Sequence, residues 1–184
     1  MHDKQQLIVF TGGPSSGKTS IINTITSGGE KCVVEVGRQV IKSEVLKGGQ
    51  ALPWGNKTQF RDQMLKAELS SYQTNQHSSG KVFFDRGIID CYGYSLLEQL
   101  AFTDELVQAC KENKYHQAVF IFPPWKDIYV NDTERKQGFK EAIKTYEAMY
   151  AAYTYFGYTL IEVPFVSVEE RVKFIFTSLG SMSS

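Results

Sequence analysis

The segment Gly12-Gly13-Pro14-Ser15-Ser16-Gly17-Lys18-Thr19 constrains this chain more than any other. It fits G-x-x-x-x-G-K-[S/T] at every defined position, follows the apolar run Leu7-Ile8-Val9-Phe10, and leads into a helical pattern. A strand, a glycine-rich turn and a helix in that order make an anion cradle. The glycines let the chain curl until successive backbone N–H groups point at one phosphate, and the helix start adds the positive end of its dipole. Lys18 would face the outer two phosphates of a nucleoside triphosphate, and the Thr19 hydroxyl would reach Mg²⁺. All eight residues, with Ser20 after them, are therefore candidate ATP contacts.

Short apolar runs alternate with helical patterns along the rest of the chain. Residues 7–10, 31–36, 82–84, 118–122 and 159–163 read as strands, several of them apolar throughout, as parallel strands covered on both faces are. Residues 18–26, 38–46, 58–76, 88–100, 104–114, 133–156 and 168–177 read as helices, the first ended by Gly28-Gly29. This alternation predicts an α/β three-layer sandwich around a parallel sheet. A length of 184 residues predicts one domain over 1–184. In the long helix, Phe139, Ile143, Tyr146, Tyr150 and Tyr153 share a face at spacings of 4, 3, 4 and 3, which predicts core packing rather than a ligand platform.

Charge and cysteine usage narrow the partners. Twenty basic and twenty acidic residues give zero net charge, which disfavours nucleic acid as a partner. Cys32, Cys91 and Cys110 form no CxxC pair, as expected of buried thiols in a reducing compartment. The polar start MHDKQQ does not read as a signal peptide, and no apolar run approaches a membrane span, so a cytoplasmic protein without membrane contact is expected.

Three nucleotide-binding classes lose support. The segment NKTQ carries Gln59 where a guanine reader needs Asp, and the DRGI segment at Asp85 does not fit D-x-x-G. LKGGQ at residues 46–50 imitates a transporter signature, but at the wrong distance from the Asp85 strand. The chain also has no room for the second helical domain of a large AAA+ motor.

The small-kinase group remains. VFFDRG places Asp85 at a strand end, where it can hold Mg²⁺ through water, with Arg86 able to reach an anion across the site. VVEVGRQV places Glu35 at the end of the second strand, positioned to accept a proton from a substrate hydroxyl, with Arg38 beside it. The charged run 126–138, containing Arg135, reads as a lid over the triphosphate. Trp54 and Trp125 are assigned to packing rather than to stacking on a planar ligand.

TGGPSSGKTS, VEVGRQVI, ALPW, VFFDRG, PPWKDIYVNDTERKQGF and VPFVSVEERVKFI together resemble a family of small predicted ATPases catalogued under the AAA label and kinase-like in character. The chain is also similar to the ribosylnicotinamide kinase domain of bacterial NAD regulators, through the phosphate loop, Glu35 and Asp85-Arg86. The resemblance implies a P-loop NTPase fold of the nucleoside-kinase type, with a five-stranded sheet in the order 2-3-1-4-5. It implies Asp85 as the Mg²⁺-associated carboxylate and Arg135 as a lid arginine, and it names no acceptor.

The leading expectation is transfer of the γ-phosphate of ATP to a small-molecule hydroxyl. Lys18, Glu35, Asp85 and Arg135 would be catalytic, Glu35, Arg38 and Arg86 would bind substrate, and Thr19 and Asp85 would hold the metal. An ATP-hydrolysing switch with a protein partner would use the same cradle, as would a nucleotide binder with little catalysis. A closed polar pocket at Glu35, Arg38, Asp85 and Arg86 favours transfer, and an open surface favours a switch.

Overall fold

Alternation along the strands splits the core in two. β1 (Gln6–Gly12) sends Leu7 and Val9 to one side and Ile8 and Phe10 to the other. β2 (Lys31–Val33), β3 (Lys81–Asp85), β4 (Ala118–Phe122) and β5 (Thr159–Glu162) complete a five-stranded sheet in the order β2-β3-β1-β4-β5, and every pairing is parallel. These features belong to a computed structural model, which describes residues 6–128 and 133–182, except the side chains at 128 and 133–137.

The connecting helices are α1 (Lys18–Ser27), α2 (Val36–Lys47), α3 (Lys57–Asn75), α4 (Ile88–Leu97), α5 (Asp104–Glu112), α6 (Thr133–Tyr155) and α7 (Val168–Met182). On the first side, Leu7, Val9, Val82, Phe84 and Val119 meet apolar residues of α3, α4, α5 and α6. On the other, Ile8, Phe10, Phe83, Phe120 and Phe122 meet Ile21 and Ile25 of α1 and Ile175 and Leu179 of α7. The ring of Phe10 lies 5.4, 5.8 and 5.4 Å from those of Phe83, Phe120 and Phe122. A one-residue slip of any of these strands would turn its ring to the wrong side, so the aromatic row fixes the register of β3, β1 and β4. The result is the expected three-layer α/β sandwich with the expected strand order. Among the described residues, no helix is long and apolar enough to cross a membrane.

Local chemistry explains the helix ends. The Asn56 side chain accepts from Gln59 N at 3.0 Å to start α3, and Thr103 accepts from Leu106 N at 3.2 Å to start α5. Gly28 closes α1, and Gly48 closes α2 in the left-handed conformation.

Three sequence expectations need correction. The second strand ends at Val33, and Glu35 is the residue before the first turn of α2 rather than part of a strand. The aromatic face of α6 is only in part its core face: Tyr153 is buried with Ala142, Met149 and Ala152, whereas Tyr150 is 45% exposed and the Tyr146 hydroxyl donates to Glu162. The reason is close approach. A Cβ on Gly13 would lie 2.6 Å from the Ala142 carbonyl oxygen, so the α6 backbone rests directly on the phosphate loop at Ala142. Trp54 is 69% exposed, because it sits in the loop between α2 and α3 rather than in the core. Trp125 does pack, against Phe165 at 5.2 Å between ring centroids.

Candidate functional site

The C-terminal ends of β1, β2 and β3 deliver the phosphate loop, Glu35 and Asp85-Arg86 to one edge of the sheet. The loop is preformed. Gly12 (φ 130°) and Gly17 (φ 85°) take backbone angles that disfavour side chains, and Ser16 Oγ donates to the Gly13 carbonyl at 3.0 Å. Behind it, Arg171 of α7 donates from Nη2 to the Ser16 carbonyl at 3.1 Å. That guanidinium is 5.0 Å from the ring centre of Phe122 and 5.3 Å from that of Trp125. A Cβ on Gly17 would lie 2.4 Å from Arg171 Nη1, so the second glycine of the motif makes room for this brace.

Lys18 is buried at the start of α1, with Nζ 3.9 Å from Asp85 Oδ1. Burial and the nearby Arg86 push its pKa down to about 8, against the pull of Asp85, Glu35 and Asp90. Asp85 is shifted the other way: burial raises its carboxyl, and Lys18 and Arg86 offset this incompletely. Asp85 Oδ1 is buried without a hydrogen-bond partner.

Arg86 joins two carboxylates. Its Nε donates to Glu35 Oε1 at 3.2 Å and its Nη1 to Asp90 Oδ1 at 3.2 Å. It does so from a left-handed backbone angle (φ 72°), which costs a non-glycine residue about 1–3 kcal/mol and is tolerated where the surroundings enforce it. The surroundings are strong here. Asp90 also accepts from Thr11 Oγ1 at 2.6 Å, Tyr153 Oη at 2.5 Å and Gly87 N at 2.9 Å, and so acts as a fixed anchor. Exposed Arg38 lies 3.3 Å from Glu35 Oε2. Burial alone would raise the Glu35 carboxyl, but Arg86, Lys18 and Arg38 together hold it below the usual carboxylate range. Glu35 is thus ionised, oriented and next to the phosphate loop.

Two cavities meet at this cluster. One, of about 530 Å³, is lined by residues 14–20 of the phosphate loop together with Glu35, Arg38, Asp85 and Arg86. The second, of about 270 Å³, lies between α2, α3, α4 and α6, with Phe60, Met64, Tyr94, Leu97 and Met149 among its walls. Pro14, Glu35, Arg38 and Arg86 line both. The pocket at Glu35, Arg38, Asp85 and Arg86 stands half open to solvent, between the closed pocket that favours transfer and the open surface that favours a switch, and the cavity behind it is largely apolar.

The donor set fits a divalent ion bound with a triphosphate. Thr19 and Asp85 line the same cavity, and Asp85 Oδ1, which makes no hydrogen bond and only a 3.9 Å ion pair to Lys18, is free to accept from a cation's water shell. Among the described residues, no three His, Cys, Asp or Glu side chains cluster for a metal.

The structure therefore brings together Gly12 to Ser20, Glu35, Arg38, Asp85 and Arg86. The side chain of Arg135 lies outside the described residues, as do residues 129–132 of the expected lid and its other side chains at 128 and 133–137. Sequence reasoning leaves out Asp90, Arg171 and Glu68, although each carries a signal. Asp90, in the first turn of α4, stands four residues after Arg86, and Arg171 continues the buried row Ile175 and Leu179. In α3, Arg61, Leu65, Glu68 and Asn75 are buried at helical spacing, so charged and polar side chains occupy a core stripe.

A family model described as AAA domain matches residues 7–171. The chain belongs to that family. No curated protein matches its sequence. Solved structures do resemble it. A deoxyadenosine kinase from M. mycoides is 14% identical with a TM-score of 0.62, covering 96% of this chain and 100% of its own. A thymidylate kinase from Ehrlichia chaffeensis is 13% identical with a TM-score of 0.65, covering 95% and 98%. The NadR protein in complex with NR is 15% identical with a TM-score of 0.61, covering 86% of this chain and 43% of its own. The fold is thus the P-loop kinase fold of nucleoside and nucleotide kinases.

Proposed function

From its membership of this AAA domain family and the second cavity built onto its phosphate loop, we propose that the protein transfers the γ-phosphate of ATP to a hydroxyl of a small molecule. The observation that carries the proposal is the shared wall. Glu35, Arg38 and Arg86 face the triphosphate cavity on one side and a largely apolar cavity on the other. A compound in the second cavity would present its hydroxyl to Glu35 and, beyond it, to the phosphate loop.

Each residue then has one task. The loop backbone and Lys18 hold the β- and γ-phosphates. Mg²⁺, held through Thr19 and Asp85, would neutralise charge on the phosphate oxygens. Glu35 orients the acceptor hydroxyl and takes its proton as the new O–P bond forms and the bond to the β-phosphate oxygen breaks, giving ADP and a phosphate ester. Arg86 holds Glu35 in place and Arg38 guards the entrance. Phosphoryl transfer is mostly positioning and charge stabilisation, so this set suffices chemically. We also infer a single domain over residues 1–184 in the cytoplasm, with segment 126–138 closing as a lid that brings Arg135 to the γ-phosphate. The family match over 7–171 supports the single domain.

The test is ADP release by purified protein with ATP and Mg²⁺ against a panel of nucleosides, sugars and vitamin precursors. Release stimulated by one acceptor, with its phosphate ester found by mass spectrometry, supports the proposal. Release unaffected by every acceptor assigns the protein to ATP hydrolysis with a protein partner.

A further inference from the structure

Two polar groups lining the apolar cavity have nothing to bind. Glu68, on the buried stripe of α3, is 3% exposed, and no hydrogen bond or ion pair engages its carboxyl among the described residues. The hydroxyl of Tyr94, on α4, is also buried without a partner. Buried polar groups are normally satisfied, and two orphans in one cavity mark a place where a ligand supplies the partners.

The form of the Glu68 side chain follows from its surroundings. Burial, reinforced by Asp90, Asp85 and Glu35, raises its carboxyl well above the usual range, and Arg86 offsets this only in part. That shift favours the protonated carboxyl, which carries an O–H donor beside a C=O acceptor. A ligand edge with an acceptor next to a donor matches that pair, and a charged group does not. The walls suit a ring. The Phe60 ring stands edge-on to Tyr94 at 5.5 Å between centroids, and Met64 and Met149 supply thioethers, which pack well on aromatic faces. The ring site adjoins the reacting carboxylate. A Cβ placed on Gly37 would be 3.4 Å from Met64 Sδ, 3.7 Å from Glu35 Oε1 and 3.9 Å from Phe60 Cζ, so all three surround one point.

We propose that this cavity selects an uncharged heterocycle bearing the acceptor hydroxyl, and that Glu68 and Tyr94 determine its specificity by reading a ring edge with neighbouring hydrogen-bond donor and acceptor. The assignment of the hydroxyl rests on the phosphotransfer reading, whereas recognition of the ring does not.

The experiment separates the two. Binding of adenosine, uridine, inosine, 1-methylinosine and ribose is measured by calorimetry without ATP, and ADP release is measured separately with ATP and Mg²⁺. At least one nucleoside should bind and ribose should not. Glu68→Leu should weaken that binding by about 10–100-fold, the cost of leaving a ring edge unpaired. Glu68→Gln, a neutral donor and acceptor, should stay within about fivefold of the parent, and Tyr94→Phe should lose about three- to tenfold. If inosine binds, 1-methylinosine, which lacks the ring donor, should bind the parent more weakly but Glu68→Leu equally. Should Glu68→Leu fail to fold, the Tyr94→Phe and Glu68→Gln affinities still decide. Binding of ribose as tight as of the nucleosides, no nucleoside binding, unchanged affinity in folded Glu68→Leu, or unchanged affinity in Tyr94→Phe overturns the inference. Nucleoside binding that depends on Glu68, without phosphate transfer, keeps it and removes the phosphotransfer reading instead.

Discussion

Arg86 holds Glu35 through a 3.2 Å hydrogen bond from Nε to Oε1 and is itself anchored by Asp90, so the carboxylate beside the phosphate loop cannot swing freely. Tyr153, Thr11 and the Gly87 amide fix Asp90 in turn. The chain runs from α6 and β1, through α4, to the carboxylate, and links the packed core directly to the proposed chemistry.

Glu35→Gln tests that chemistry. The amide keeps the shape and loses the proton acceptor, so phosphate transfer should fall by about 10²–10⁴-fold. ATP affinity, measured by calorimetry, should change little, because the phosphates are gripped by the loop backbone and Lys18. A parallel loss of ATP affinity would mean that Glu35 supports the loop and takes no part in transfer.

Arg86→Met asks how Glu35 stays ionised. Burial pushes the Glu35 carboxyl up, and Arg86 is the largest force holding it down. Removing the guanidinium leaves burial less opposed, so the folded pKa rises. Activity that needs the carboxylate is lost as pH falls through that pKa, so the acid limb of the kcat/KM profile should move to higher pH. An acid limb in the same place as the parent's would detach Arg86 from Glu35.

Asp85→Asn should raise the Mg²⁺ concentration needed for half-maximal turnover by about tenfold or more, since an amide holds the ion's water shell more weakly than a carboxylate. A Mg²⁺ titration that superimposes on the parent's would leave Asp85 as the partner of Lys18 alone.

The layers, strand order and phosphate loop are legible in the sequence because they depend on local patterns: apolar runs, helical spacing, and glycines at set offsets. Glu35, Asp85 and Arg86 are legible for a related reason, since each follows a strand whose end must reach the same edge. The environment of Glu68 is not local. Its cavity is walled by side chains from four helices, and only the packed fold shows that a carboxyl there lacks a partner. The α6 face is misread in part because aromatic residues suggest a core, whereas the side of α6 that rests on Gly13 carries Ala142. Arg171 reaches Ser16 across 155 positions of sequence, a contact that no spacing rule anticipates.

Arg171→Met should separate loop bracing from overall stability. The methionine fills much of the same volume between Phe122 and Trp125 and removes a buried cation whose Nε has no partner. It also removes the hydrogen bond to the Ser16 carbonyl. ATP affinity should drop by about 3–30-fold, in keeping with one charge-assisted bond, while the melting temperature stays close to the parent's. A large fall in melting temperature with unchanged affinity would make Arg171 a core residue rather than a brace.

The pH dependence of ATP binding should report Lys18. Its pKa is about 8 in the free protein, because burial and Arg86 disfavour the ammonium. Bound phosphates favour the ammonium, so the complex keeps the proton to higher pH than the free protein does. Between those two pKa values, binding requires uptake of a proton, and affinity must fall as pH rises. Below about pH 7 the lysine is charged in both states and contributes no slope. Above about pH 8 the slope should steepen toward tenfold per unit, the limit for one proton taken up. Lys18→Arg provides the control, because a guanidinium stays charged throughout this range. It need not bind as tightly, since the comparison is of slopes and not of affinities. Calorimetry from pH 6 to 10 should therefore give a falling curve for the parent and a nearly flat one for Lys18→Arg above pH 8. Parallel curves would show that Lys18 keeps its proton in the free protein, and that the buried cluster of Asp85, Glu35 and Asp90 stabilises the ammonium more than burial and Arg86 destabilise it.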